Sequence, residues 1–156
     1  MLHVLFVCLG NICRSPMAEA VFQQLVAEAG LSDRIAVDSA GTAGWHEGER
    51  ADARTLAVLR ARHIPYDGRS RPIRAADLAH FDYVVAMDGQ NLADLRRLDQ
   101  TGALEGKLFR LLDFAPRGTG QDVPDPYYDN RFEHVYQLVE AGCRGLLKAI
   151  RAAQGW

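Results

Sequence analysis

Residues 4–22 read VLFVCLGNICRSPMAEAVF, and three side chains in that run have the types and spacing to do chemistry together. Cys8 closes an apolar run, Arg14 follows six residues on, and Ser15-Pro16 opens a helical pattern. The N-terminus of a helix offers unsatisfied backbone N–H groups and a partial positive charge, so a loop leading into it can cradle an anion. Gly10 takes backbone angles that other residues avoid, and Asn11 tolerates them better than most. The five residues between Cys8 and Arg14 are enough to wrap a tetrahedral oxyanion. In such a field a cysteine favours its thiolate. Arg14 presents a planar fork to two anion oxygens, and Ser15 can donate to the sulfur. A thiolate in line with a phosphate ester describes phosphoryl transfer through a phosphocysteine. A lone cysteine after a strand also packs as a small hydrophobe, and Cys-x5-Arg arises by chance. The strand before Cys8, the Ser-Pro after it and the helix behind it favour the chemistry.

Those residues need elements to hold them. The run 2–7 reads as a strand buried on both faces of a parallel sheet. The pattern 16–29 puts Met17, Val21, Phe22, Leu25, Val26 and Ala29 on one helical face, with Ser15 as N-cap, Pro16 in the first position and Gly30 as the stop. Further strands are expected over 35–38, 82–87 and 107–112, and helices over 52–63, 91–99 and about 130–153. Leu56 and Leu59 point inward from the first of these helices, and Leu92, Leu95 and Leu98 are in step on the second. The last carries Phe132, Val135, Val139, Cys143, Leu146 and Ile150 on one stripe, which makes Cys143 a core residue. Segments 39–49 and 115–129 read as loops, the second holding Pro116, Pro124 and Pro126. Strands alternating with helices predict a three-layer α/β fold in a single domain over 1–156. A four-stranded parallel sheet carries helices on both faces, joined by right-handed crossovers, with a phosphate-binding loop after strand 1. Ligands bind such folds beyond the carboxyl ends of the strands, here Cys8, Asp38 and Met87 with Asp88. Asp38 and Asp88 are readable either as caps of a turn or helix or as supports of the loop.

The chain has 156 residues, 48% hydrophobic and 24% charged, with a formal net charge of -2. That is ordinary for a soluble protein and gives no reason to expect nucleic-acid or membrane-surface binding. No apolar run approaches the ~20 residues of a membrane span. The apolar start lacks a basic region before it and reads as a strand, not a signal peptide. Three cysteines without a CxxC pair make a poor disulfide framework or zinc site and suit a reducing, cytoplasmic setting.

VCLGNICRSPMAEAVF resembles the signature loop of the low-molecular-weight protein tyrosine phosphatases. DSAGTAGWH at 38–46, FDYVVAMDGQNL at 81–92 and DPYYD at 125–129 follow in that family's order and spacing. The resemblance implies a phosphate-binding loop of Leu9, Gly10, Asn11, Ile12, Cys13, Arg14 and Ser15. It implies Cys8 as nucleophile, Arg14 as the group that binds phosphate and steadies the transition state, and Asn11 and Ser15 as residues that shape the loop and the thiolate. Asp125, between two prolines, reads on its own as a turn residue. The resemblance makes it the general acid that protonates the leaving oxygen and the base that later activates water. A phenol with a pKa near ~10 leaves poorly without that proton. Trp45 and Tyr127 are then walls gripping an aromatic ring, although a Trp in such a loop can also anchor a small core. Tyr128 lines the entrance or is simply exposed, and the paired tyrosines can be phosphorylated in this family. Cys13 can pair with an oxidised Cys8 in the family, or merely support the loop.

One departure stands out. Many members carry a histidine that braces the loop, and Gly68 occupies the matching place in YDGRSR, with His63 or His46 as candidate substitutes. Arsenate reductases share the loop but need further cysteines downstream, and none lies between Cys13 and Cys143. Protein arginine phosphatases of the family tend to have threonine where this chain has Ile12. A non-catalytic phosphotyrosine-binding module would not need Cys8, Arg14 and Asp125 together. The expected reading is a cytoplasmic protein-tyrosine phosphatase, independent of metal and cofactor. It acts on tyrosine-phosphorylated proteins and small aryl phosphates, as a monomer or weak dimer. If the source is bacterial, family analogy adds a partner tyrosine kinase for surface polysaccharide export.

Overall fold

The apolar run at the start forms β1 (Leu2–Cys8) and takes an inner place in a sheet of order β2-β1-β3-β4. The computed structural model describes residues 1–116 and 121–156. Its other strands are β2 (Ile35–Gly41), β3 (Tyr83–Ala86) and β4 (Leu108–Arg110), and every pairing is parallel. Side chains along a strand alternate between faces, and β1 splits its own accordingly. Val4, Phe6 and Cys8 join one core with α1 (Arg14–Glu28), α2 (Ala53–Arg60) and α5 (Phe132–Gln154). Leu5 and Val7 join the other, with Leu78 of α3 (Ala75–His80) and Leu95 of α4 (Gly89–Leu98). This alternation sends the Cys8 sulfur to the face covered by α1, the helix that begins six residues later. The result is the expected α/β fold, a four-stranded parallel sheet between two helical layers.

The differences from expectation have local causes. The N-cap of α1 is Cys13, not Ser15, because the Ser15 hydroxyl is turned back to Cys8 and Asn11. Strand β2 runs on to Gly41, since β1 pairs with it as far as Cys8↔Gly41. Helix α3 is an unexpected short element with one buried residue, Leu78, held at its start by Asp77 accepting from the Arg74 N–H at 2.8 Å. Strand β4 stops at Arg110, and Leu111–Asp113 form a 3-10 turn. In α2 the inward residues are Thr55, Val58 and Leu59, with Leu56 half-buried. The stripe expected on the last helix is buried throughout, Cys143 included. Of the expected loop 115–129, residues 117–120 lie outside the described residues. Among the described residues no helix is long and apolar enough to cross a membrane.

Candidate active site

The loop between β1 and α1 is held from outside. The Cys8 and Leu9 carbonyls each accept an N–H at 2.9 Å, from Thr42 and Ala43. The Gly10 carbonyl accepts the Ser70 hydroxyl at 3.0 Å, the Ile12 carbonyl accepts the Asp52 N–H at 2.8 Å, and the Cys13 carbonyl accepts the Thr55 hydroxyl at 3.4 Å. A trans peptide sets each N–H opposite the preceding carbonyl. Carbonyls turned outward therefore turn the N–H groups of Leu9, Gly10, Asn11, Cys13 and Arg14 toward the inside of the loop. The left-handed residue that closes it is Asn11 (φ 56), not Gly10.

Cys8 Sγ lies 3.0 Å from Ser15 Oγ. The Asn11 amide crosses behind the loop, donating to Ser15 Oγ at 2.8 Å and to Ser39 Oγ at 3.0 Å, and accepting the Arg71 N–H at 3.0 Å. Arg14, the first helical residue, is only 3% exposed. Its Nη1 donates to Asp88 Oδ2 at 2.6 Å and to the Val123 carbonyl at 2.9 Å, and its Nη2 is 3.8 Å from Asp125 Oδ2. Burial weakens its hold on its proton, but Cys8, Asp88 and Asp125 more than offset that and raise its pKa. Asp88 fills both of its readings, since its Oδ1 accepts the Asn91 N–H at 2.7 Å and so caps α4. Asp38 acts at one remove, pairing at 3.0 Å with Arg71, whose backbone holds Asn11.

Asp125 is exposed on the segment that brings Tyr127 and Tyr128 to the rim. Its Oδ1 accepts the Tyr127 N–H at 3.1 Å, forming a tight turn. Arg54 ties this segment to α2. It donates to the Tyr127 carbonyl at 3.2 Å and to Asn130 Oδ1 at 3.1 Å, while both Asp52 oxygens hold its other face at 3.0 Å. One cleft results. Cys8, Leu9, Gly10, Ile12, Cys13 and Arg14 form its floor, and Trp45, His46, Asp125, Tyr127 and Tyr128 form its rim. Asn11 and Ser15 are buried behind the floor. Trp45 is 72% exposed, so it stands at the cleft rather than anchoring a core. Tyr128, 91% exposed, meets Tyr127 edge-on with ring centroids 5.0 Å apart. Burial, with Asp52, Cys8 and Asp125 nearby, pushes the Cys13 thiol up to about 12, so it stays protonated.

Neither candidate histidine takes the bracing place. His46 is on the rim, 3.0 Å from Glu49, and His63 lies beyond the end of α2 with a left-handed backbone (φ 58). The space at Gly68 is filled by Tyr66, whose hydroxyl donates to Glu19 Oε1 at 2.9 Å. Glu19, Ser39, Arg54, Tyr66, Ser70 and Arg71 are thus site residues that sequence reasoning missed. Glu19 had a usable signal, because spacings to Phe22 and Val26 put an acid on the buried face of α1.

A thiol, a buried arginine and a carboxylate around one anion-sized loop, at the carboxyl end of an inner parallel strand, define the class of cysteine-dependent phosphatases. Residues 3–155 match the family model of the low molecular weight phosphotyrosine protein phosphatases. A low molecular weight protein-tyrosine-phosphatase of Streptomyces coelicolor is 50% identical over 153 residues, covering 96% of this chain and 93% of its own. The crystal structure of YfkJ from Bacillus subtilis superposes with a TM-score of 0.94 at 46% identity, covering 98% of this chain and 96% of that one. A Drosophila arginine phosphatase superposes with a TM-score of 0.85 at 33% identity, covering 95% and 97%. The chain belongs to the low molecular weight phosphotyrosine protein phosphatase family.

Proposed function

We propose that the chain, acting over 1–156 as one domain, hydrolyses phosphotyrosine in proteins, with small aryl phosphates as surrogates. The observation that carries this reading is the loop whose Cys8, Leu9, Gly10, Ile12 and Cys13 carbonyls are bonded outward while Arg14 closes the ring. Phosphate seats in the inward N–H groups and the Arg14 fork, its phosphorus above Cys8 Sγ. The thiolate forms the S–P bond as the bond to the phenolic oxygen breaks, and Asp125 gives that oxygen its proton. Water then attacks phosphorus, passes a proton to the Asp125 carboxylate, and the S–P bond breaks to release phosphate and restore the thiolate. Ser15 Oγ, 3.0 Å from the sulfur, is placed to donate to the thiolate as it rests and as it leaves.

Trp45 and Tyr127 flank the aromatic ring, and apolar Ile12 gives the floor no polar partner for a guanidinium. These favour tyrosine over arginine, the second reading, which the Drosophila neighbour keeps in view. Arsenate reduction lacks its relay, because Cys143 is buried in α5 with its thiol pKa raised by that burial. The expected setting is the cytoplasm, as a monomer or weak dimer, without metal or cofactor. A tyrosine kinase is a candidate partner in a bacterial source. Hydrolysis of phosphotyrosine, phosphoarginine and phosphoserine peptides, side by side with a chelator, tests the reading. Phosphotyrosine should be preferred, and Cys8→Ser should abolish turnover while still binding phosphate. Preference for phosphoarginine would overturn the substrate assignment, and turnover by Cys8→Ser would overturn the mechanism.

A further inference from the structure

Behind the loop runs a chain of hydrogen bonds from Glu19 through Ser39, Asn11 and Ser15 to the Cys8 sulfur. Glu19, on the buried face of α1, is 9% exposed. As a carboxylate it only accepts, and its Oε1 takes the Ser39 hydroxyl at 2.6 Å and the Tyr66 hydroxyl at 2.9 Å. Ser39 has thus given its one proton to Glu19, so its oxygen accepts from Asn11 Nδ2. The Asn11 amide cannot be turned over, because the Arg71 N–H points at its Oδ1. Its two Nδ2 protons therefore go to Ser39 and Ser15. Ser15 then accepts from Asn11, which leaves its one hydroxyl proton for the Cys8 sulfur 3.0 Å away. The Arg71 N–H fixes the amide and the charge on Glu19 fixes the Ser39 proton; a neutral Glu19 would have a proton to give, which would compete with Asn11 Nδ2 for the Ser39 oxygen and loosen the amide that holds Ser15.

We propose that Tyr66 is a positioning residue whose hydroxyl supports the Glu19 carboxylate and so, through Ser39 and Asn11, holds Ser15 against Cys8. The proposal rests on Cys8 being the nucleophile of the proposed function. The Glu19 pKa is raised on balance: burial and Asp38 raise it, and the Ser39 and Tyr66 hydroxyls and Arg71 oppose that rise, so each donor matters to the carboxylate. Tyr66 is one of only two donors that Glu19 has among the described side chains. Its own proton is secure, because burial and the Glu19 charge raise the phenol pKa. An imidazole in that place would change charge across neutral pH, and a phenol does not. Gly68 is the condition for the arrangement. A Cβ there would overlap the Tyr66 hydroxyl and lie 2.6 Å from Cζ. The glycine that breaks the family pattern is the space into which this tyrosine fits.

The test uses Tyr66→Phe, which removes only the hydroxyl, Gly68→Ala, which displaces it, and Glu19→Gln, which removes the charge. Two readouts are taken from about pH 5.5 to 8: the rate of Cys8 alkylation by iodoacetamide, followed by mass spectrometry, and kcat/KM for 4-nitrophenyl phosphate. Near the acid end, alkylation by Tyr66→Phe and Gly68→Ala should slow by about three- to tenfold, equivalent to about half to one pH unit. The deficit should shrink as pH rises, because higher pH favours the Glu19 carboxylate even with one donor. In Glu19→Gln the deficit should not vary with pH, and adding Tyr66→Phe to it should cost little more. A loss that Tyr66→Phe shows equally at every pH would make the residue merely structural, and an alkylation profile superposable on the wild type would overturn the proposal. Failure of the wild type to hydrolyse any aryl phosphate would overturn the proposed function instead, since the alkylation readout needs no turnover.

Discussion

Asp88 uses its two oxygens for two different tasks, and two substitutions separate them. Oδ2 holds Arg14 at 2.6 Å and Oδ1 caps α4 through the Asn91 N–H at 2.7 Å. Asparagine keeps an N-cap oxygen and loses the charge, whereas alanine loses both. Removing one partner of a fully buried ion pair costs about 3–5 kcal/mol. Here the aspartate side chain is 20% exposed and opens to the cleft, and Arg14 keeps the Val123 carbonyl. Water and that carbonyl reduce the cost to about 1–2 kcal/mol, and the lost cap adds about 1 kcal/mol in the alanine variant. At about 2–4 °C per kcal/mol for a chain of this size, Asp88→Asn should lower Tm by about 2–8 °C and Asp88→Ala by about 2–4 °C more. Because the Arg14 fork loses its fixed direction, kcat/KM should fall by about tenfold or more in both. Calorimetry and 4-nitrophenyl phosphate kinetics read the two effects. Asp88→Asn matching the wild type in both would refute the orienting role, and equal Tm values for the two variants would refute the capping role.

Asp125→Asn should slow aryl phosphates with poor leaving groups by about 100-fold or more while barely slowing activated ones, read from kcat against leaving-group pKa. Equal slowing would remove it as the acid. Arg54→Ala frees the segment 125–130 from α2, so kcat/KM should fall by about three- to tenfold with Tm nearly unchanged, and limited proteolysis should cut near Tyr127. Gly145→Ala should destabilise by about 2 kcal/mol or more despite the better helix propensity of alanine, because its Cβ would overlap the Phe114 carbonyl oxygen and lie 2.6 Å from the carbonyl carbon. A rise in Tm would refute that. Asp52 has its pKa lowered, chiefly by the Arg54 side chain. Its contribution to stability is therefore present above the unfolded value of 3.8 and lost as pH falls through the lower folded value, so urea midpoints of Asp52→Asn and wild type should converge in acid.

The legible parts of this molecule were those where one pattern runs long. Strand β1 and helix α5 are continuous apolar runs or stripes, and packing leaves them no alternative. Elements made by tertiary pairing were hidden. The last residues of β2, Ser39–Ala40–Gly41, have small side chains with no strand signal and are strands because β1 lies beside them. Helix α3 buries a single leucine, too little periodicity to register. At the site, spacing alone draws attention to Cys8, Arg14 and the loop, which line one cleft, since the proposed nucleophile and its anion clamp are local. Ser15 misled for a physical reason: a serine before a proline is a good cap, but this hydroxyl has a stronger claim from sulfur and amide. Gly68 read as a loss because a sequence shows an absent side chain and not the neighbour that fills its space. The contacts of Glu19 with Ser39 and Tyr66 join residues 20 and 47 positions apart, which no local pattern reveals.

Arg14 reaches the Val123 carbonyl across 109 positions of sequence, and the Val123 N–H in turn bonds to the Met87 carbonyl. The order of synthesis gives this stitch a meaning. The thiol and the arginine leave the ribosome before Val123 and Asp125, with 109 positions between Arg14 and Val123. An elongating chain that already holds Cys8 and Arg14 thus lacks both the carbonyl that seats the arginine and the carboxylate proposed as the acid. The site is assembled only once that later segment has been made.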